Sequence, residues 1–86
     1  MNKLFTDNAW QDYLYWQKED KKTLKRINLL INDVSRNGNE GIGKPEPLVG
    51  DLSGYWSRRI NEKDRLVYRI RNNNIEILSC RFHYKK

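Results

Sequence analysis

Hydrophobic residues change their spacing near the middle of this chain. Over the first 37 residues they recur at intervals of three and four, as on one face of a helix. From residue 55 onward they alternate with polar residues, as in half-buried strands. The pattern predicts a single α+β domain spanning residues 1–86, in which two N-terminal helices pack on one face of a small antiparallel β-sheet.

The helical half contains two segments, preceded at residues 3–5 by a short apolar stretch that predicts an edge strand. Asp7 or Asn8 is expected to cap the first helix, and Asp20 the second, which should end at residues 37–38. The apolar stripe expected on the first helix is Trp10, Tyr13, Leu14 and Gln17. The stripe expected on the second is Leu24, Ile27, Leu30 or Ile31, and Val34.

Three strands are predicted in the second half, at residues 55–61, 65–71 and 75–83. A three-residue loop at 72–74 would keep the same side-chain parity on both sides of the last hairpin. The buried face would then consist of the even positions Trp56, Ile60, Leu66, Tyr68, Ile70, Leu78, Cys80 and Phe82. Arg58 and Glu76 fall on this face too, although they are charged.

The odd positions bring basic residues together on the opposite face, with Arg65 expected across from Arg81. The members of this face are Arg59, Arg65, Arg69, Arg71, Arg81 and His83. Like charges directly across a ladder are destabilising unless an anion lies over them, and arginine suits bidentate phosphate binding. The pattern predicts a phosphate site. The alternative is a solvated face whose arginines pair with Glu46, Glu62 and Asp64.

Charge and composition narrow the class of partner. The formal net charge is +6, and residues 44–86 carry ten basic but only five acidic side chains. Such a basic half favours a nucleic acid, an anionic membrane or an acidic protein as the partner.

No apolar run resembles a signal peptide or a membrane span, so membrane attachment is not expected. The single Cys80 fits a cytoplasmic protein, and one Cys with one His cannot form a thiolate–imidazole metal cage, so no metal or cofactor is expected.

Metal-free cleavage of RNA needs a base for the 2′-hydroxyl, cations for the phosphate and an acid for the leaving oxygen. Glu46 is a candidate base, because it lies between Pro45 and Pro47 in a glycine- and proline-rich loop at residues 37–54. His83, the only histidine, is a candidate acid. Each has an ordinary alternative, since a loop glutamate is usually a surface charge and a terminal histidine is usually incidental.

Five segments resemble the YoeB (Txe/YoeB) toxins of the RelE superfamily: AWQDYLYWQ, GKPEPL, LSGYWSRRI, RLVYRI and CRFHY. The resemblance extends from about Leu4 to Tyr84. It implies a compact antiparallel sheet with two helices on one side. It also implies a toxin of a type II toxin–antitoxin system that cuts mRNA in the ribosomal decoding site and thereby inhibits translation.

The resemblance also implies roles for individual residues. Glu46 would be the general base and His83 the general acid, while Arg65 would stabilise the phosphate and Tyr84 would position substrate or assist proton transfer. The residues expected to bind substrate are Arg59, Arg81 and Lys44. The sequence departs from the family pattern at Val49, where a basic residue is expected, and in the extension at 85–86.

The implied partners are a YefM-type antitoxin, the 70S ribosome with its mRNA, and operator DNA through the antitoxin complex alone. A homodimer is left open. Two other classes compete with a nuclease. A ribosome-binding inhibitor that does not cut would leave Glu46 without a purpose. A small DNA-binding regulator is disfavoured, because the basic residues lie on strands and not on one exposed helix.

Overall fold

Two helices pack on one face of a five-stranded sheet in the computed structural model, which describes residues 1–82. The elements are β1 (Asn2–Phe5), α1 (Asp7–Glu19), α2 (Lys21–Asn37), β2 (Glu46–Pro47), a 3₁₀ turn (Gly50–Leu52), β3 (Trp56–Arg59), β4 (Arg65–Arg71) and β5 (Asn74–Ser79). The strand order is β1-β5-β4-β3-β2. The predicted α+β class with two helices against one sheet is therefore confirmed.

The first strand lies at an edge of the sheet, as predicted. It runs parallel to β5, whereas the other three strand pairs are antiparallel. The expectation of a wholly antiparallel sheet was therefore wrong at this one pair. The reason is that β1 connects to the remaining strands through two helices, and such a long crossover allows parallel pairing, which a tight hairpin turn does not.

The first helix is capped by Thr6, not by Asp7 or Asn8 as predicted. The Thr6 hydroxyl accepts the Ala9 N–H at 3.0 Å and donates to the Leu78 carbonyl at 3.0 Å. A hydroxyl can do both at once, whereas an ionised carboxylate can only accept. The same group therefore caps α1 and ties its beginning to β5.

The buried face of α1 differs from the predicted stripe. Ala9 and Trp16 are buried and Tyr13 is half-buried, whereas Trp10 is 46% exposed and Gln17 is exposed. Ala9 has too little hydrophobic surface to mark a face by hydropathy, yet its small side chain suits the close contact with the sheet. Trp10 instead stacks nearly parallel on Tyr13 at the surface, with the ring centroids 5.8 Å apart.

The second helix follows the sequence prediction closely. Asp20 caps it by accepting the Thr23 N–H at 3.2 Å. The helix ends at Asn37, and Gly38, with φ of 64°, donates its N–H to the Val34 carbonyl at 2.9 Å. Its fully or nearly fully buried positions are Ile27, Leu30, Ile31 and Val34. This spacing of three and four residues forms the stripe that packs on the sheet.

The hairpin between β4 and β5 has a tighter turn than the one predicted. Asn72 and Asn73 form a two-residue turn with φ of 55° and 61°, and Ile70 pairs with Ile75. Asparagine tolerates these positive φ values, which type I′ hairpin turns require. The predicted three-residue loop was therefore wrong, and Ile75 and Ile77 of β5 face the core.

A β-bulge then shifts the register once more. Val67 pairs with Ser79 while the next residue, Tyr68, pairs with Ile77, so that one extra residue of β5 lies between them. The bulge reverses the parity change made by the turn. Cys80 is consequently back in the core, as predicted, although the even positions of β5 before it are not.

Arg58 is fully buried on the helix-facing side of β3, where parity had placed it. Its guanidinium contacts the Asp33 carboxylate of α2 at 2.5 Å. Its other hydrogen bonds go to the carbonyl oxygens of Gly38, Glu40 and Ile42 and to the hydroxyl of Tyr68.

Position 41 requires glycine, because φ is 123° and a Cβ there would overlap the Asp33 carboxylate. Arg58 thus fixes the first part of the loop that leads to β2.

This ion pair should make the stability of the fold depend on pH. The hydrogen bond from Arg58 is the main cause that lowers the pKa of Asp33 below its ordinary value of 3.8. The stabilisation is therefore present above pH 3.8 and is lost as the pH falls below 3.8 through the folded-state pKa. Urea midpoints should be lower at pH 3 than at pH 7, and the difference should shrink in Asp33→Asn. An unchanged difference in that variant would contradict this assignment.

Candidate functional site

Glu46 lies on the outer face of the sheet, opposite the helices. The strand register places it across from Ser57 on β3, and Ser57 across from Val67 on β4, so the three side chains share one face. Glu46 is exposed, whereas Val67 and Leu48 are buried outside the main core. Glu46, the candidate base, therefore lies on a short edge strand, beside a small apolar patch formed by Leu48 and Val67.

Arg59 and Arg65 face each other at the end of the β3–β4 ladder, two positions along from Ser57 and Val67. They consequently share the face of Glu46. From the strand spacing and rise, the Cα atoms of Glu46 and Arg65 are roughly 12 Å apart. Two long side chains can span this distance to meet at a single phosphodiester group. The shared face of Arg59 and Arg65 was predicted and is confirmed. Glu46 was predicted only to lie in the loop before the strands, and the pairing of β2 with β3 places it on this face.

Arg65 is oriented by its own turn. Its Nη1 donates to the carbonyl oxygens of Asn61 at 2.8 Å, Asp64 at 3.1 Å and Glu62 at 3.3 Å. Within residues 1–82, no carboxylate lies within ion-pair distance of Arg59 or Arg65. The alternative in which these arginines pair with neighbouring acids is therefore not found in this part of the chain, and their positive charges remain available to an anion.

Arg69 and Arg71 lie on the same face, and both bind one carboxylate, that of Glu76. Glu76 binds Arg69 at 2.5 Å and Arg71 at 3.3 Å, and these contacts lower the pKa of Glu76, with the Arg69 hydrogen bond as the largest cause. Arg69 also stacks on Tyr55 with its guanidinium carbon 4.7 Å from the ring centroid. The expectation that Glu76 lies on the apolar face was wrong, because the two-residue turn shifts β5 by one position.

Arg81 does not lie across from Arg65. The strand β5 ends at Ser79, and the Arg81 guanidinium stacks over the ring of Tyr15 from α1, 3.4 Å from its centroid. The predicted pairing of the two arginines was therefore wrong, since the chain leaves the ladder before position 81. The contact with an aromatic ring instead holds Arg81 against the first helix.

Lys44 is exposed and lies two residues before Glu46. Its backbone adopts a left-handed conformation with φ of 51°. The preceding residue, Gly43, accepts the Arg59 N–H through its carbonyl oxygen at 2.7 Å. This hydrogen bond keeps the Lys44 backbone next to the arginine pair.

The end of the described chain lies beside Arg65. The Arg65 N–H donates to the Phe82 carbonyl oxygen at 3.2 Å, and the Phe82 N–H donates to Asp64 Oδ1 at 2.6 Å. The two remaining catalytic candidates, His83 and Tyr84, lie outside the described residues.

Sequence reasoning missed the acidic side chains that hold this terminal segment. Asp64 was treated only as a counter-ion for arginine, and Asp12, on α1, was not considered. Asp12 accepts the Cys80 N–H at 3.0 Å, and burial raises the pKa of its carboxyl. No periodic signal marks either residue, because their partners are backbone groups far away in the sequence. Burial also raises the pKa of the Cys80 thiol to about 12, in agreement with its predicted core role.

From residue 1 to residue 82, no group of three or more His, Cys, Asp or Glu side chains could hold a metal ion. Neither described helix has the length and apolar character needed to cross a bilayer.

The chain is similar to known toxins over nearly its whole length. A family described as the YoeB-like toxin of bacterial type II toxin–antitoxin systems matches residues 5–84. Toxin YoeB of Synechocystis is 60% identical over 82 residues, which make up 95% of each protein. The structure of the YoeB/ParE toxin from Agrobacterium tumefaciens has a TM-score of 0.95 and 45% identity, covering 98% of this chain and 100% of that chain.

Two Staphylococcus aureus structures, a heterotetrameric YoeB–YefM complex and a YoeB dimer, are each 52% identical and cover 98% of both chains, with TM-scores of 0.91 and 0.92. These matches and the shared fold define the protein as a toxin of a type II toxin–antitoxin system. The chain belongs to the YoeB-like toxin family. The resemblance noted from its motifs is thereby confirmed.

Proposed function

We propose that this toxin is a metal-independent endoribonuclease that inhibits translation by cutting messenger RNA in the decoding site of the ribosome. One observation carries the proposal. Glu46 shares an open sheet face with Arg59 and Arg65, whose charges no carboxylate of residues 1–82 neutralises. A carboxylate weakens simple phosphate binding, so its presence beside two free arginines favours proton transfer over mere attachment to RNA.

The proposed reaction uses the RNA's own nucleophile. Glu46 accepts the proton of the 2′-hydroxyl, and the 2′-oxygen attacks the adjacent phosphorus. The bond from phosphorus to the 5′-oxygen breaks as His83 protonates that oxygen. The products are a 2′,3′-cyclic phosphate and a 5′-hydroxyl end, and no redox step or outside co-reactant is needed. DNA lacks the 2′-hydroxyl and would not be cut.

The basic residues have separate tasks in this proposal. Arg65 is oriented by three carbonyl groups, and it would stabilise the negative charge of the pentacoordinate phosphate, with support from Arg59. Lys44 and Arg81 would bind flanking phosphates, and Tyr84 would position substrate or assist proton transfer. Arg69 and Arg71 are excluded from this set because Glu76 already binds them.

The partners follow from the family and from the charge of the sheet face. The Staphylococcus aureus YoeB is found in a complex with YefM, and we infer that a YefM-type antitoxin neutralises this chain too. Operator DNA would be bound through that complex alone. The YoeB of the same organism also forms a dimer, which supports a homodimer of the free toxin. As a single domain acting on 70S ribosomes and mRNA, the toxin would work in the cytoplasm.

Primer extension on a defined mRNA, incubated with the toxin and with or without purified ribosomes, tests the proposal. Discrete cuts at the codon in the decoding site are expected with ribosomes and not without them. A cyclic phosphate at the new 3′ end would support the internal nucleophile. Ribosomes arrested on an intact transcript would overturn the proposal and favour an inhibitor that binds without cutting.

A further inference from the structure

Residues 80–82 follow the end of β5 and are held by three side chains and one backbone N–H group. After the end of β5, the Cys80 N–H donates to Asp12 at 3.0 Å, and the Cys80 carbonyl accepts the indole N–H of Trp16 at 2.8 Å. Both partners lie on α1, and Trp16 is buried. The first residue after the strand is therefore fixed to the helix layer by two hydrogen bonds.

Phe82 is held even more specifically. Its φ is 65°, a left-handed value that is strained for a bulky residue and persists only where the surroundings impose it. The Phe82 N–H donates to Asp64 Oδ1 at 2.6 Å, and its carbonyl accepts the Arg65 N–H at 3.2 Å. Two adjacent residues at the start of β4 thus bind both backbone groups of Phe82.

The Asp64 carboxylate is itself fixed in place. The residue is only 5% exposed, and its Oδ2 accepts the side-chain N–H of Asn61 at 3.0 Å. Asn61 Oδ1 in turn accepts the backbone N–H groups of Asp64 at 2.7 Å and Lys63 at 2.8 Å. Within residues 1–82 the carboxylate is satisfied by N–H donors without an ion pair. The Asp64 side chain therefore has one fixed orientation, in which Oδ1 faces the Phe82 N–H.

We propose that Asp64 is a positioning residue for His83, because it holds Phe82, the residue that precedes His83 in the sequence, in its left-handed conformation beside Arg65. This inference rests on the proposed function, in which His83 is the acid and Arg65 binds the phosphate. Asp64 touches neither substrate nor reacting atoms. It acts on His83 only through Phe82. A displacement of about 1 Å of a catalytic group can lower a rate by about 100-fold.

Two variants separate positioning from folding. Asp64→Ala removes the acceptor for the Phe82 N–H. The double variant Asn61→Asp/Asp64→Asn exchanges the two side chains, so that the amide oxygen of the new residue 64 can accept the Phe82 N–H while its amide nitrogen donates to the new carboxylate at 61. All the hydrogen bonds are then retained at unchanged net charge. Glu62→Gln, in the same turn, is the control for loss of one exposed negative charge.

The rates are measured as single-turnover cleavage with the toxin in saturating excess over programmed ribosomes, in proteins with and without the His83→Ala change. Asp64→Ala is expected to lower the rate about 10- to 100-fold while the toxin concentration at half-saturation stays the same. The exchanged pair should recover most of the rate, and Glu62→Gln should cut normally. In the His83→Ala background, Asp64→Ala should cause no further loss, because it acts through His83.

Hydrogen exchange of the Phe82 amide gives a readout that is independent of activity. It should be slow in the wild type and in the exchanged pair, and fast in Asp64→Ala. Full cleavage by Asp64→Ala would overturn the positioning role, and so would an equal loss with and without His83. A wild type that never cuts ribosomal mRNA would instead overturn the proposed function itself, so the two failures are distinguishable.

Discussion

Replacing Glu46 by Gln is expected to lower the rate of mRNA cleavage on the ribosome by about 10²–10⁴-fold, the usual contribution of a general base. The amide keeps the size of the side chain but cannot take the proton of the 2′-hydroxyl. Because Glu46 is exposed on a two-residue edge strand, the change should leave folding intact. Ribosome binding should persist or strengthen slightly, since a negative charge beside Arg59 and Arg65 is removed.

Cleavage is measured as the single-turnover rate with the toxin in saturating excess over programmed ribosomes. Binding is measured by pelleting the toxin together with ribosomes. Glu40→Gln is the matched control, because it makes the same chemical change on an exposed residue of the same loop. Its rate should equal that of the wild type. Near-normal cleavage by Glu46→Gln would remove the base assignment, whereas loss of ribosome binding in that variant would assign Glu46 to attachment and not to catalysis.

Replacing Arg58 by Met is expected to destabilise the fold by about 3–5 kcal/mol, because it removes one partner of a buried charged network. The carbonyl oxygens of Gly38 and Glu40 lose their Arg58 donors, and Asp33 loses its cation. An 86-residue domain has a total stability of roughly 4–13 kcal/mol. The variant would therefore lose a large share of that stability or fail to fold.

Urea denaturation followed by circular dichroism gives the free energy of unfolding, and Arg71→Met is the matched control. Like Arg58, Arg71 is a strand arginine paired with a carboxylate, in this case that of Glu76, but its side chain is 55% exposed. Exposed pairs contribute about 0–1 kcal/mol, so this control should unfold almost as the wild type does. An equal loss of unfolding free energy in the two variants would show that the buried network stabilises the fold no more than an exposed ion pair does.

Much of the fold could be predicted because the determining signals are local. The 3.6-residue period of α2 and its cap at Asp20 depend on neighbours within one helical turn. The alternation along β4 requires only that one face be buried. Even Arg58 was correctly placed on the core side by parity, although nothing in the pattern disclosed which groups would bind its guanidinium.

Part of the site was predictable. Alternation placed Arg59 and Arg65 on one face, whereas Glu46 was placed only in a loop, because no local pattern marks the two-residue strand β2. Glu46, Arg59 and Arg65 lie on one face because β2, β3 and β4 pair as antiparallel neighbours. Arg81 was placed wrongly, because its position depends on where β5 ends. The hydrogen bond from Phe82 to Asp64 was not predicted, because Phe82 lies 18 positions away and is bound through its backbone N–H.

The sequence by itself determined the two helices, four of the five strands, the limits of α2 and the side of the sheet on which each residue of β3 and β4 lies. The short strand β2 was not predicted. The tertiary structure decided the register of β5, through the Asn72-Asn73 turn and a compensating bulge. Alternation has a period of two, so one added or omitted residue moves every following side chain to the other face. A shift of one residue in the register of β5 therefore decides whether Glu76 binds Arg69 or lies in the core. Only packing of the sheet against the helices selects between these two registers.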